Sequence, residues 1–476
     1  MPPDPAGLEF TADEMRRMGH ATVERLVEHV LSLETQPVRG DVDAADLCCR
    51  LREPAPERGV AYEPLLDRLL DEWVPRSFTT SGPGYLAYIP GGGLYPAGLA
   101  DLIAGVVNRY TGVRLAAPAL VQLESNALDW LRDWMAFPAG TRGLFTTGGS
   151  MAHFNAVLCA RERHLGADIR AGVLYGSTQM HHSLGKSARL AGIMPDRVRA
   201  VPVDEQFRMD VDALADMIAT DRRAGLRPFC VASAAGTTNT GAVDPLDAVA
   251  DLCDREGLWH HVDGAYGAFF HLCPELRDLM PGLSRADSLT LDPHKGLFLP
   301  YGTGALLVRD GAVLRGAHEA TAGYLPARTD DEYDPHVYGP ELSRGFPGLR
   351  VWLCVKLYGA GRFRAALAEK RALAVEAAAR VAAVPGIVMA APPQVSLFAF
   401  HLRWPGSSPA EENEATELLV ERVNLRKRVM LSGAVVEGRF LARVCVLSFR
   451  TRARHVEACV TDLAEEAADI LATASA

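Results

Sequence analysis

Between residues 144 and 310 the chain alternates short apolar runs with helical patterns, and this alternation restricts the fold more than any other feature. Candidate strands lie at 144–146, 173–175, 201–203, 228–232, 258–262, 288–291 and 305–308. Helical periodicity occupies 152–164, 211–219 and 246–256. Such an order predicts an α/β fold with a mostly parallel sheet wrapped by helices, and ligands in such sheets bind beyond the carboxyl ends of the strands.

Two of those ends carry chemistry. Asp263 closes the run Leu258-Trp259-His260-His261-Val262, and Lys295 follows Leu291-Asp292-Pro293-His294. Burial of a lysine at a strand end lowers its pKa and frees a nucleophilic amine, as a Schiff base to an aldehyde requires. A carboxylate at a neighbouring strand end would keep a pyridine nitrogen protonated. Lysine and carboxylate together point to pyridoxal 5'-phosphate chemistry.

Other motifs fall at the same sheet edge. Thr147-Gly148-Gly149-Ser150 sits between a strand and a helix, where backbone N–H groups and the Ser150 hydroxyl would hold a phosphate. No Gly-Lys-Ser/Thr follows, so it is not a Walker loop. Gly236-Thr237-Thr238-Asn239-Thr240-Gly241 offers hydroxyls after the 228–232 strand, and 91–98 reads as a flexible wall of the pocket. The doublets His181-His182 and His260-His261 read as ring-stacking or structural histidines, with no metal site expected, because adjacent strand residues face opposite ways.

A chain of 476 residues is long for one core. The expected division is an N-terminal helical arm at 1–76, a large α/β domain at 77–350 and a small α+β domain at 351–476. The arm opens with the capping-box pattern Thr11-Ala12-Asp13-Glu14 and is too polar to bury its own core, so it packs on the main body or on a second subunit. Helical runs are expected at 349–368 and 373–384, then strands near 395–401 and 444–449, with helices at 415–426 and 453–472. Residues 323–345 lack periodicity and read as a mobile loop. A formal charge of −10 without a basic run argues against a nucleic-acid partner. Nine scattered cysteines without a CxxC pair read as reduced thiols of a cytoplasmic protein. Neither a signal peptide nor a membrane span is expected.

The ordered set of motifs resembles the group II pyridoxal-phosphate-dependent decarboxylases, the family of aromatic-L-amino-acid decarboxylase. The resemblance is carried by the segments 84–90, 118–124, 147–152, 179–182, 236–244, 261–266 and 292–295, and by Glu341-Leu342-Ser343-Arg344 and Ser448-Phe449-Arg450-Thr451. It implies fold type I and a homodimer with shared active sites. It further implies Lys295 as the Schiff-base lysine, Asp263 as the pyridinium partner, Ala265 under the ring and His181 stacked over it. Thr238 would touch the cofactor's substituents, Gly149 and Ser150 would hold the phosphate, and His294 would face the site. A tyrosine of the mobile loop, Tyr333 ahead of Tyr338, would protonate Cα to give the amine. The implied reaction is decarboxylation of an L-amino acid to the amine and carbon dioxide. The rivals are an oxygen-consuming aldehyde synthase on the same scaffold and a non-catalytic cofactor-binding module.

The chain departs from the family at three positions. Asp292 stands where animal enzymes carry an asparagine that touches the phosphate, and Gly296 replaces a common large residue. Gly112, between Tyr110 and Arg114, stands where aromatic amino acid decarboxylases set a ring against the substrate, so the pattern does not single out an aromatic substrate.

Overall fold

A computed structural model of the chain describes residues 7–40, 43–319 and 332–474, so residues 323–331 of the expected loop lie outside the described residues. The large sheet contains β1 (Arg142–Thr146), β2 (Gly172–Ser177), β3 (Val198–Val201), β4 (Arg227–Ala234), β5 (Trp259–Asp263), β6 (Ser288–Leu291) and β7 (Gly304–Val308). Their order across the sheet is β1-β7-β6-β5-β4-β2-β3. The neighbours from β6 through β3 pair in parallel. At the other edge β7 runs antiparallel to both β6 and β1. The reversal follows from the connection after β6, which holds only the short helix Pro293–Gly296 and offers no crossover back to the far end of the sheet. β2, β6 and β7 are buried along their whole length, which is why they read as continuous apolar runs rather than alternating ones.

The second sheet, β8 (Ile387–Ala391), β9 (Leu397–Leu402), β10 (Ser432–Val436) and β11 (Arg439–Cys445), is antiparallel in the order β10-β11-β9-β8. Phe398 and Phe400 of β9 pack in one core with Leu419 and Leu463 of the helices Pro409–Leu425 and Ala453–Ala474. The strand expected near 444–449 ends earlier, at Cys445. Beyond it, Thr451 donates through Oγ1 to Pro83 O at 2.7 Å, and Arg450 donates to Gly92 O at 2.7 Å, so this segment is tied to the N-terminal half instead of a ladder.

One long element, Pro347–Ala382, replaces the two helical runs expected with a break near 370. Its break falls at Gly359, whose φ of 71° and ψ of 153° interrupt the helix. In the arm, the capping box forms as expected, with Thr11 N donating to Glu14 Oε2 at 2.8 Å and Glu14 N to Thr11 Oγ1 at 3.3 Å. The helix that follows, Ala12–Ser32, buries no residue fully. The arm meets the body through Val38, which clusters with Tyr85, Ala87 and Met430.

Two predictions come from this architecture. An added Cβ at Gly359 would meet nothing within 4 Å, so Gly359→Ala isolates the backbone cost of a conformation only glycine favours. The substitution should lower stability by about 1–3 kcal/mol in urea denaturation. Adjacent His260 and His261 lie inside β5, and burial pushes them down to about 4 and about 3. Below pH 6.5 the unfolded chain binds protons that these folded imidazoles refuse, so stability falls as pH drops toward 4. Between pH 6 and 5 each should contribute about 1 kcal/mol of that loss. His260→Gln should flatten the fall of the urea midpoint by one histidine's share.

Candidate active site

A cavity of about 390 Å³ opens at the carboxyl ends of the parallel strands. Gly149 and Ser150 enter it after β1, His181 after β2, Thr238 after β4, Asp263 and Ala265 from the end of β5, and Asp292, His294 and Lys295 from the end of β6. Nine residues singled out in the sequence thus share one wall. They converge because parallel pairing brings the strand ends to one edge, however far apart they are in the chain.

Lys295 Nζ lies 2.9 Å from Asp292 Oδ2. Burial works to lower the lysine's pKa, as expected, but Asp292 and Asp263 outweigh it and hold the amine above its ordinary value. The expectation of a depressed lysine pKa is therefore corrected: with two carboxylates opposite, the amine is charged while the cavity holds no other partner. Asp263 shows the converse. Burial opposes its ionisation, yet His153, Lys295 and His181 hold its carboxyl far below the usual range. Its Oδ1 accepts the Ala265 N–H at 3.1 Å.

His181 caps the helix His182–Leu190, its Nδ1 accepting the Ser183 N–H at 3.3 Å. Burial lowers it to about 4, so the ring is neutral near pH 7. His294 donates from Nδ1 to Thr303 O at 2.8 Å, and its Nε2 faces Asp292 Oδ2 at 3.5 Å.

The donor set fits pyridoxal phosphate. No side chain caps the helix Gly149–His164, leaving the N–H groups of its first turn to an anion. A Cβ on Gly149 would lie 3.2 Å from Asp292 Oδ2 and 3.3 Å from Ala265 Cβ, so glycine keeps this floor clear. Asp292 Oδ1 is buried without a hydrogen-bond partner, an open acceptor inside the same wall.

Within the single chain Tyr333 does not line the cavity. It is 6% exposed, stacks on Tyr338 with ring centroids 5.4 Å apart, and donates to Glu124 Oε1 at 3.3 Å. Glu124 also takes both guanidinium arms of Arg344, at 2.5 and 3.0 Å, so the loop is anchored there through a buried ion pair. Gly112 faces the same loop: a Cβ would sit 2.0 Å from Leu342 O, which leaves no room for a ring. The 91–98 stretch also departs from expectation. It packs behind the lysine turn, Leu94 N donating to Phe298 O at 3.0 Å, and does not line the cavity.

Sequence reasoning missed three lining residues: His153, Ser183 and Tyr266. His153 sits one helical turn after Ser150, and that spacing was its only signal. Arg443 was missed as well. It donates to Thr238 O, to Asn239 O at 3.0 Å and to Ser432 Oγ at 2.9 Å, clamping the Thr238 loop to the small domain.

Comparison with known proteins extends the picture. Residues 51–403 match the pyridoxal-dependent decarboxylase conserved domain. Aromatic-L-amino-acid decarboxylase of Bacillus atrophaeus is 34% identical over 448 residues, covering 93% of each chain. The enzyme of the same name from Bos taurus is 30% identical, covering 97% of this chain and 98% of its own. Among solved structures, Oryza sativa TDC with PLP and tryptamine superposes with a TM-score of 0.92 at 27% identity, over 97% of this chain and 99% of that one. A 4-hydroxyphenylacetaldehyde synthase from Rhodiola rosea reaches 0.90 at 26% identity, with the same coverage. Likeness of this extent takes in the residues that build the cavity as well as those that build the sheets, and by it the chain belongs to the pyridoxal-dependent decarboxylase family and is an amino-acid decarboxylase that uses pyridoxal phosphate.

Proposed function

We propose that the chain converts an aromatic L-amino acid to the corresponding amine and carbon dioxide, acting as a cytoplasmic homodimer. The observation that carries the reading is the meeting of Lys295, Asp263 and His181 on one cavity. The substrate class is supported by the names of the relatives at 34% and 30% identity. When bound, the cofactor supplies a sink for the electron pair released as the Cα–carboxylate bond breaks.

Each residue has a part in holding that group. Lys295 would hold its aldehyde carbon through Nζ. Asp263 would keep a proton on the ring nitrogen, since its carboxyl stays ionised. His181, neutral, would lie on the ring's face, and Ala265 on the other. The helix start at Gly149 and Ser150 would hold the phosphate, with Thr238 and His294 closing the sides. Asp292 would keep the Lys295 amine in place until the cofactor arrives.

Exposed apolar residues support the dimer. Val106 and Leu115 are 77% and 74% exposed, and Leu8 and Leu31 of the arm 83% and 76%. Surfaces of this kind are covered in stable assemblies. All nine cysteines are free, which suits a reducing compartment. No helix among the described residues is long and apolar enough to cross a membrane.

Lys295→Ala should abolish carbon dioxide release and the visible absorption of bound cofactor; turnover that survives would refute the lysine's role. The substrate class is tested by offering aromatic, branched and acidic L-amino acids and measuring carbon dioxide. Peroxide and ammonia are followed in the same assays. Peroxide formed in step with carbon dioxide would move the assignment to an aldehyde synthase. Sedimentation should report a dimer.

A further inference from the structure

Four side chains that line the cavity follow one another from Asp263 to His181. His153 is 1% exposed, with Nε2 3.4 Å from Asp263 Oδ2 and Nδ1 2.8 Å from Ser183 Oγ. Ser183 Oγ in turn lies 2.6 Å from His181 Nδ1.

Counting protons along this path fixes who donates. His181 Nδ1 already accepts the Ser183 backbone N–H, so it bears a lone pair and the ring's proton is on Nε2. A hydroxyl 2.6 Å from that lone pair must point its hydrogen there. With its one proton used, Ser183 Oγ accepts from its other neighbour, which makes His153 Nδ1 a donor. The opposite nitrogen, His153 Nε2, faces a carboxylate oxygen, where a lone pair would be repelled. It carries a proton too.

We propose that His153 is a positioning residue: a buried imidazolium that anchors the Asp263 carboxylate on one side and, through Ser183, sets the tautomer of His181 on the other. It rests on the cofactor reading above and adds a group to it. Other groups near His153 do not compete for the role. His261 stands edge-on with ring centroids 5.3 Å apart, its own nitrogens turned to Ser288 Oγ and Thr290 Oγ1 at 2.8 and 3.4 Å. Lys295 is engaged with Asp292. Asp263 thus takes the Ala265 N–H at Oδ1, while His153 Nε2 stands 3.4 Å from Oδ2 as a charge contact, with no hydrogen-bond partner of its own among the described residues. A buried carboxylate lacking such a partner takes up a proton, and the neutral acid is a poorer match for a protonated ring nitrogen.

The test compares binding of pyridoxal 5'-phosphate with binding of 1-deazapyridoxal 5'-phosphate, in which CH replaces the ring nitrogen. The wild-type protein should prefer the nitrogen-bearing compound. Asp263→Asn should remove the preference, and His153→Asn should cut it by about tenfold, the difference between a charged and a neutral hydrogen-bonding partner. An undiminished preference in His153→Asn overturns the proposal. A second measurement needs no variant to fold. In 15N-histidine-labelled cofactor-free protein at pH 8, one imidazole should show both nitrogens protonated, and a spectrum in which every ring carries a single proton overturns the assignment. If the wild-type protein binds neither compound, the cofactor reading falls instead, and the spectrum still decides the state of His153.

Discussion

An ionised carboxylate set in the cavity wall, largely withdrawn from water, is the constraint around which the rest is arranged. Taking Asp263 out of water costs several kcal/mol unless its charge is met by partners in fixed positions. Those partners come from separate elements: His153 from the helix after β1, His181 from the turn after β2, and Lys295 from the turn after β6. A parallel sheet is the economical way to meet the requirement, since it delivers many chain segments to one edge. The antiparallel return of β7 serves the same end. By reversing after β6 it keeps the Pro293–Gly296 turn short, and that turn carries Lys295 to within 2.9 Å of Asp292.

The small domain does not merely follow the large one. Arg443 on β11 reaches across to the carbonyls of Thr238 and Asn239, and Tyr266, three residues past Asp263 in the same turn, bonds Ser396 Oγ at 2.9 Å. Two of the turns that line the cavity are therefore fixed by side chains of the small domain, Arg443 on β11 and Ser396 just before β9. Burial lowers the pKa of Arg443, yet its guanidinium is met by backbone carbonyls and a hydroxyl rather than an acid. Such a clamp adds no negative charge beside a phosphate site. The geometry of the cavity thus depends on both cores being folded together.

Much of this was legible in the sequence, for reasons that differ by element. Ser288–Leu291 and Leu246–Glu256 match their expected bounds because an unbroken apolar run and a clean helical period each have one interpretation. β3 lies at Val198–Val201, ahead of the expected 201–203, because two of its residues, Val198 and Arg199, are only partly buried and Ala200 is exposed. The kink at Gly359 escaped because a single glycine in a helical pattern is usually tolerated. In the site, Lys295 and Asp263 were found because strand ends are predictable positions. His153 was not, since nothing in a helical stretch shows which residue turns toward a partner fixed by the fold. The sign of the lysine's pKa shift was misjudged for a related reason: burial is readable from pattern, whereas the two carboxylates opposing it are known only once the strands are placed.

The charges of the cavity also say how an anionic cofactor is accommodated. Asp263 and Asp292 face Lys295 and, on the proposal made for it, a cationic His153, so the wall is close to neutral before anything binds. Among the described residues no arginine lines it. A phosphate arriving there is met by the uncapped start of the Gly149–His164 helix and by the hydroxyls of Thr147 and Ser150, not by a cluster of cations. Dipoles of this kind are fixed by the backbone and select the position of the anion strictly, while attracting it only over short range. The acid at Asp292, which would be repulsive beside a phosphate on charge alone, is tolerated because Lys295 and His294 both face its Oδ2. Its Oδ1 is buried without a hydrogen-bond partner, so whatever fills the cavity must bring a donor to it or leave room for water.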